Sequence, residues 1–110
     1  MDELVKRAVY LDYYGGLLNE KQRSIISGKA AEDLSLSEIA EKEGISRQAV
    51  SEALKRIDQK LEGYERQLGL VSRAARIEEM LEEIRQAVKG LDEKTGARII
   101  QITERISEEL

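Results

Sequence analysis

The side chains best placed to do chemistry lie together between Ser46 and Arg56, and that chemistry is recognition. Arg47 carries a planar fork of donors that matches guanine O6 and N7, or a phosphate. The Gln48 amide matches adenine N6 and N7, and Glu52 can accept from a cytosine amino group. Lys55 and Arg56 suit phosphates, which hold a protein on a duplex without reading its sequence. Ser46 is a helix cap, and the N–H groups behind it could hold a further phosphate. Ser51 and Gln59 complete the outward-facing set. Catalysis has no comparable set. The chain holds neither cysteine nor histidine, which removes zinc sites of the Cys/His kind and Ser–His or Cys–His nucleophile pairs. Acidic pairs at Glu78-Glu79, Glu82-Glu83 and Glu108-Glu109 read as solvated helix faces, because no other ligand type converges on them. No metal, cofactor or enzymatic activity is expected.

To act together, Arg47 to Arg56 must project from one helix while its other side is buried. Val50, Leu54, Ile57 and Leu61 repeat at spacings of four, three and four, one apolar stripe on a helix that starts at Ser46 and runs at least to Leu61. Ahead of it, Ser35 and Glu38 form a capping box for a shorter helix that Gly44 ends. Ala40, Gly44 and Val50 then supply the small residue, the turn glycine and the apolar residue that a helix-turn-helix requires, and Ile39 and Ile45 supply apolar pegs. The window is read as a helix-turn-helix in preference to an ordinary helical hairpin. Its second helix would enter the major groove by its N-terminal half.

Two helices precede this window. Asp2 to Tyr14 forms the first, with Leu4, Ala8 and Leu11 expected inward and Gly15-Gly16 expected to end it in a left-handed turn. Leu17 and Leu18 are expected to staple that turn to the core. Asn19 with Gln22 opens the second helix by a capping box, with Ile25 and Ile26 inward and a loose end near Ala31 to Asp33. Gly28 should weaken it by roughly 1 kcal/mol relative to Ala.

Beyond Gly63 the composition turns to charged helix. Ile77, Leu81, Ile84, Val88 and Leu91 follow the a/d spacing of a coiled coil over two heptads. The seam either packs on the last helix, which holds Ile99, Ile102, Ile106 and Leu110, or pairs with a second copy. A homodimer is the favoured reading, since a two-fold protein matches a palindromic site. Gly90 is expected to close the seam helix. Residues 1–62 are thus read as the helix-turn-helix domain and 63–110 as a helical extension available for dimerisation.

Composition agrees with an all-α class. The 110 residues are 41% hydrophobic, with four tyrosines and no Phe, Trp or Pro, and strong helix formers dominate. Nothing is apolar enough to serve as a signal peptide or a membrane span, so a cytoplasmic protein is expected, without membrane insertion. A net charge of −4 argues against indiscriminate coating of nucleic acid but leaves room for a local basic face. Residues 47–60 carry four positive and two negative charges, a mixture that also suits a plain solvated face. Glu38, Glu41 and Glu43 in the preceding helix would repel phosphates. DNA is favoured over RNA or protein as the partner. Tyr13 and Tyr14 could stack on bases, although such residues more often sit half-buried in a core.

The stretch Leu34 to Arg56 resembles region four of bacterial sigma factors. Adding Tyr13-Tyr14-Gly15, Leu17-Leu18 and Lys21-Gln22-Arg23 to Asp33-Leu34-Ser35-Leu36, Glu38-Ile39-Ala40 and Ile45-Ser46-Arg47-Gln48-Ala49-Val50 gives a pattern similar to the YlxM-like family of small bacterial helix-turn-helix proteins. The match covers roughly the first 65 residues. The aromatic residues that the family carries in its second helix and at position 51 are absent, since Ser24 to Glu32 holds none and Ser51 stands here. The resemblance implies a sigma region four-like fold, nucleic-acid binding by Arg47, Gln48 and their neighbours, and a regulator connected with the signal recognition particle pathway. It leaves open a non-catalytic role in which the same helices bind the particle's RNA or protein.

Overall fold

A computed structural model describes residues 2–110; Met1 lies outside them. Among the described residues there are six α-helices: α1 (Glu3–Tyr14), α2 (Glu20–Ala30), α3 (Leu36–Glu43), α4 (Arg47–Leu68), α5 (Leu70–Ala87) and α6 (Glu93–Glu108). They form two compact units, one reaching to Gly69 and the other Leu70–Leu110. The protein is all-α, as its composition and caps require.

Most helix starts are set by local polar chemistry. Asp2, Asn19, Ser35, Ser46 and Asp92 each take extended backbone and accept an N–H from the first turn of the helix they precede. Asn19 with Gln22 and Ser35 with Glu38 form complete capping boxes. Gly44 adopts the left-handed conformation at φ 68°, and the Ile45 N–H donates to the Ala40 carbonyl at 3.0 Å. That closes α3 with a Schellman motif and turns the chain directly into α4.

The Ser35 backbone N–H, donating to Glu38, holds the Glu38 carboxyl below its ordinary value. A lowered carboxylate pKa adds stability that is complete above the unfolded value of about 4.3 and is lost as the pH falls through the folded value. Glu38→Gln keeps an N3 side chain able to complete the box but cannot titrate. The parent's melting temperature should therefore exceed the variant's at neutral pH, and the lead should vanish on acidification. A lead independent of pH would remove Glu38 from the linkage.

The core of the first unit is built on α4. Val50, Leu54, Ile57 and Leu61 are buried along its expected stripe, against Ile25 and Ile26 of α2 and Ile39 and Ala40 of α3. Gly28 is buried where α2 and α3 meet. A Cβ there would lie 3.3 Å from Ile39 Cγ1, so the glycine permits close approach in exchange for helix propensity. The end of α2 is tied down by the Leu34 N–H donating to the Gly28 carbonyl at 2.9 Å, with Asp33 at φ 51°.

Three expectations at the start of the chain need correction. Leu4 is 63% exposed and Ala8 is exposed, while Leu11 is only half-buried. The inward face of α1 is instead Arg7, Tyr10 and Tyr14, with Tyr14 fully buried. Tyr14 makes ring contacts with Tyr10, Tyr13 and Tyr64 and donates its hydroxyl to Glu65 of α4. A buried aromatic ring removes more apolar area from water than Leu4 would, and its hydroxyl finds a partner. Gly15 is not left-handed, having φ −57°, and the chain leaves α1 by a 3-10 turn over Gly15–Leu17. A Cβ at Gly15 would lie 3.1 Å from Leu11 Cδ1, close enough that this side chain would have to shift by a few tenths of an ångström. Leu18 is buried as expected, but Leu17 is exposed.

The composition change at Gly63 does not interrupt the helix. α4 continues to Leu68 and ends at Gly69, which is left-handed at φ 62° and donates its N–H to the Glu65 carbonyl. The second unit is an antiparallel pair, α5 and α6, joined through a 3-10 turn at Val88–Gly90. Ser107 of α6 donates to Glu78 of α5. Leu81 and Thr103 are its buried side chains, and the Thr103 hydroxyl is satisfied by the Ile100 carbonyl at 2.7 Å.

Candidate nucleic-acid interface

α3, the Gly44 turn and α4 form the helix-turn-helix, and all three positions singled out for it behave as required. Ala40 is buried between the helices, Gly44 makes the left-handed turn, and Val50 is fully buried one turn into α4. Ile39 is fully buried, and Ile45 is half-buried. With Val50, Leu54, Ile57 and Leu61 facing the core, the opposite side of α4 is turned to solvent by geometry alone.

Ser46, Arg47, Gln48, Ser51, Glu52, Lys55, Arg56 and Gln59 are all exposed. Ser46 caps the helix by accepting the Ala49 N–H at 3.0 Å, which leaves its hydroxyl proton available. Gln48 donates weakly to Glu52 at 3.5 Å, one turn along the same face.

The charge arrangement on α4 is not random. Three of its acidic side chains are engaged by α1. Asp58 accepts from Nε and Nη2 of Arg7, at 3.0 and 2.6 Å. Glu62 accepts from Lys6 at 2.7 Å, and Glu65 accepts from Tyr14. The Glu62 hydrogen bond pushes the Lys6 ammonium up from its ordinary value, and that to Asp58 does the same for Arg7. By contrast Arg47, Lys55, Arg56 and Lys60 make no ion pair among the described residues. Of the acidic residues on α3, Glu38 is held in its capping box and Glu43 accepts from Ser24 at 2.7 Å. Glu41 is exposed.

Lys21 adds to this surface and was not among the sequence candidates. It lines, with Asn19, Gln22, Ala49, Ala53 and Arg56, a groove of about 300 Å³ between the start of α2 and α4. Lys21 and Arg56 are 35 positions apart, and no periodicity relates them. Lys60, also outside the sequence set, follows Arg56 by one turn. Tyr14 is fully buried, so base stacking is closed to it.

The expected dimer seam divides. Leu81 is buried within the hairpin, Ile77 and Val88 are half-buried, and Ile84 and Leu91 are exposed. Val88 lies in the 3-10 turn and Leu91 beyond it, past the end of α5. Among the described residues no three acidic groups gather to hold a metal, and no helix is long and apolar enough to cross a membrane.

Residues 1–101 match the model of a family described as "Putative helix-turn-helix protein, YlxM / p13 like". A UPF0122 protein of Symbiobacterium thermophilum is 37% identical over 100 residues, covering 91% of this chain and 94% of its own. One from Desulforamulus reducens is 44% identical over 92 residues, covering 84% and 79%. One from Thermoanaerobacter sp. is 37% identical over 110 residues, covering 99% and 94%.

Proposed function

The chain belongs to the YlxM / p13-like family of helix-turn-helix proteins, and from that premise we propose that it is a cytoplasmic DNA-binding regulatory protein. In this reading α4 lies in the major groove. Arg47, Gln48 and Glu52 meet base edges near its start, while Lys55 and Arg56 hold phosphates, with Ser46 and Ser51 as smaller polar contacts. The observation that carries the reading is the partition of charge on α4. Its acids toward α1 are engaged, and Arg47, Lys55, Arg56 and Lys60 make no ion pair among the described residues. A protein with a net charge of −4 thereby offers a duplex a locally positive helix. The link to the signal recognition particle pathway that the family resemblance implies enters as a choice of target, and duplex DNA is the target proposed.

The test is selection of bound sequences from random duplex DNA, repeated with Arg47→Ala. The parent should enrich a short motif. The variant should bind it with a loss of about 1–3 kcal/mol and accept other bases at one position. An unchanged motif and affinity would take Arg47 out of the interface. No enriched duplex, together with capture of the particle's RNA after crosslinking in cells, would overturn DNA as the target.

A further inference from the structure

The second unit has too little core for its length. Over Leu70–Leu110, Leu81 is the one large apolar side chain fully withdrawn from water among the described residues. A segment of this size is not expected to be stable on so little burial and normally gains a partner. The missing burial is visible on its surface. Ile84, Ile102 and Ile106 are 40, 39 and 41% exposed, and Met80 is also exposed.

These four side chains share one face. Successive residues advance by about 100° around a helix. Met80 and Ile84 therefore fall to one side of the Leu81 line on α5, and Ile102 and Ile106 fall to the same rotational side of the Thr103 line on α6. Because the two helices are antiparallel, those sides lie on one surface of the hairpin.

The charges bordering that surface identify its occupant. Within the hairpin Arg85 takes Glu78 and Glu82. The residues along the outer edges of the apolar face are left without an ion pair among the described residues: Arg76 and Glu83 on α5, and Arg98, Arg105 and Glu109 on α6. The Ser107–Glu78 hydrogen bond sets the register of the pair. It puts Glu83 level with the span between Arg98 and Arg105, and Arg76 level with Glu109. A two-fold axis parallel to the helices lays α5 of one copy over α6 of the other at unchanged level. Each edge then meets its opposite charge, with Glu83 facing the partner's Arg98 and Arg105, and Arg76 facing the partner's Glu109.

We infer that this face of the α5–α6 hairpin binds a second copy of the chain, as an isologous dimer in which α5 packs on the partner's α6. A self-complementary edge is what such symmetry demands, and an unrelated partner would have no reason to match it. Of the seam suggested by Ile77 to Leu91, Ile84 takes part in this interface. Leu81 serves the interior of each hairpin, and α6 supplies half of the interface.

Sedimentation of the full-length protein without nucleic acid tests this, with helicity checked by circular dichroism. The parent should dimerise. Glu83→Arg, and separately Arg98→Glu with Arg105→Glu, should each raise the dimer dissociation constant by about tenfold or more, because each places like charges together along both edges. An equimolar mixture of the two variants should dimerise like the parent, since only the mixed pair restores opposite charges on both edges. A parent that stays monomeric, variants that dimerise unchanged, or weakened variants that fail to complement each other would each overturn the arrangement. None of these outcomes bears on whether α4 binds DNA.

Discussion

Lys55→Glu combined with Arg56→Glu is expected to weaken binding to duplex DNA about a hundredfold at 0.1 M salt. Each phosphate neutralised by a basic side chain contributes about 0.9 to the slope of log affinity against log salt. Losing two contacts removes about 1.8 from that slope, which near 0.1 M amounts to roughly two decades relative to 1 M. Reversing the charges adds repulsion to the loss. The fold should survive, because both side chains are exposed and neither makes an ion pair among the described residues. Anisotropy of a labelled duplex across a salt series measures the effect, with circular dichroism as the control for folding. A variant that keeps the parent's slope would place the phosphate contacts elsewhere. Arg47→Ala differs in kind, since it should change which sequences are bound more than the steepness of the salt dependence.

Ile57→Ala should have the opposite signature, a loss of fold first and of binding as its consequence. Ile57 is 1% exposed on the inner stripe of α4. Truncating a buried isoleucine to alanine costs about 2–5 kcal/mol, from lost transfer energy and the cavity left behind. A unit reaching only to Gly69 should have a total stability of about 3–10 kcal/mol. The substitution therefore removes a large share of it and could leave the unit substantially unfolded. Ile57→Val should cost about 0.5–1.5 kcal/mol. Urea denaturation followed by helicity gives both numbers. A cost below about 1 kcal/mol for the alanine variant would mean that α4 is not the spine of the core. Together the two experiments separate recognition from architecture on one helix, because Arg56 is exposed while Ile57, the next residue, is buried.

The helix-turn-helix was legible because its determinants are short-range. A capping box closes over three residues and a Schellman turn over five, so Asn19–Gln22, Ser35–Glu38, Ser46 and Gly44 could be read directly from the chain. The stripe Val50–Leu54–Ile57–Leu61 was legible for a related reason, since a 3.6-residue period needs no knowledge of what lies opposite. That stripe also determined which side chains of α4 face solvent, and hence the candidate set from Arg47 to Arg56.

Only the tertiary structure decided which face α1 buries, because Leu4–Ala8–Leu11 and Tyr10–Tyr14 are both plausible helical faces. The choice went to the rings that α4 could receive, with Arg7 and Tyr14 each meeting an acid 51 positions away. The same contacts decided the electrostatics of the candidate interface. From sequence, α4 is a mixture of signs. In the fold, Arg7, Lys6 and Tyr14 engage Asp58, Glu62 and Glu65, and the cations on the outward side remain. Gly63 looked like a boundary by composition, yet a single glycine costs a helix only about 1 kcal/mol, too little to break one whose neighbours are packed. Caps and periods act within a turn or two of chain and are written in the sequence. The partners of a ring or a charge depend on which helices meet, and only folding settles that.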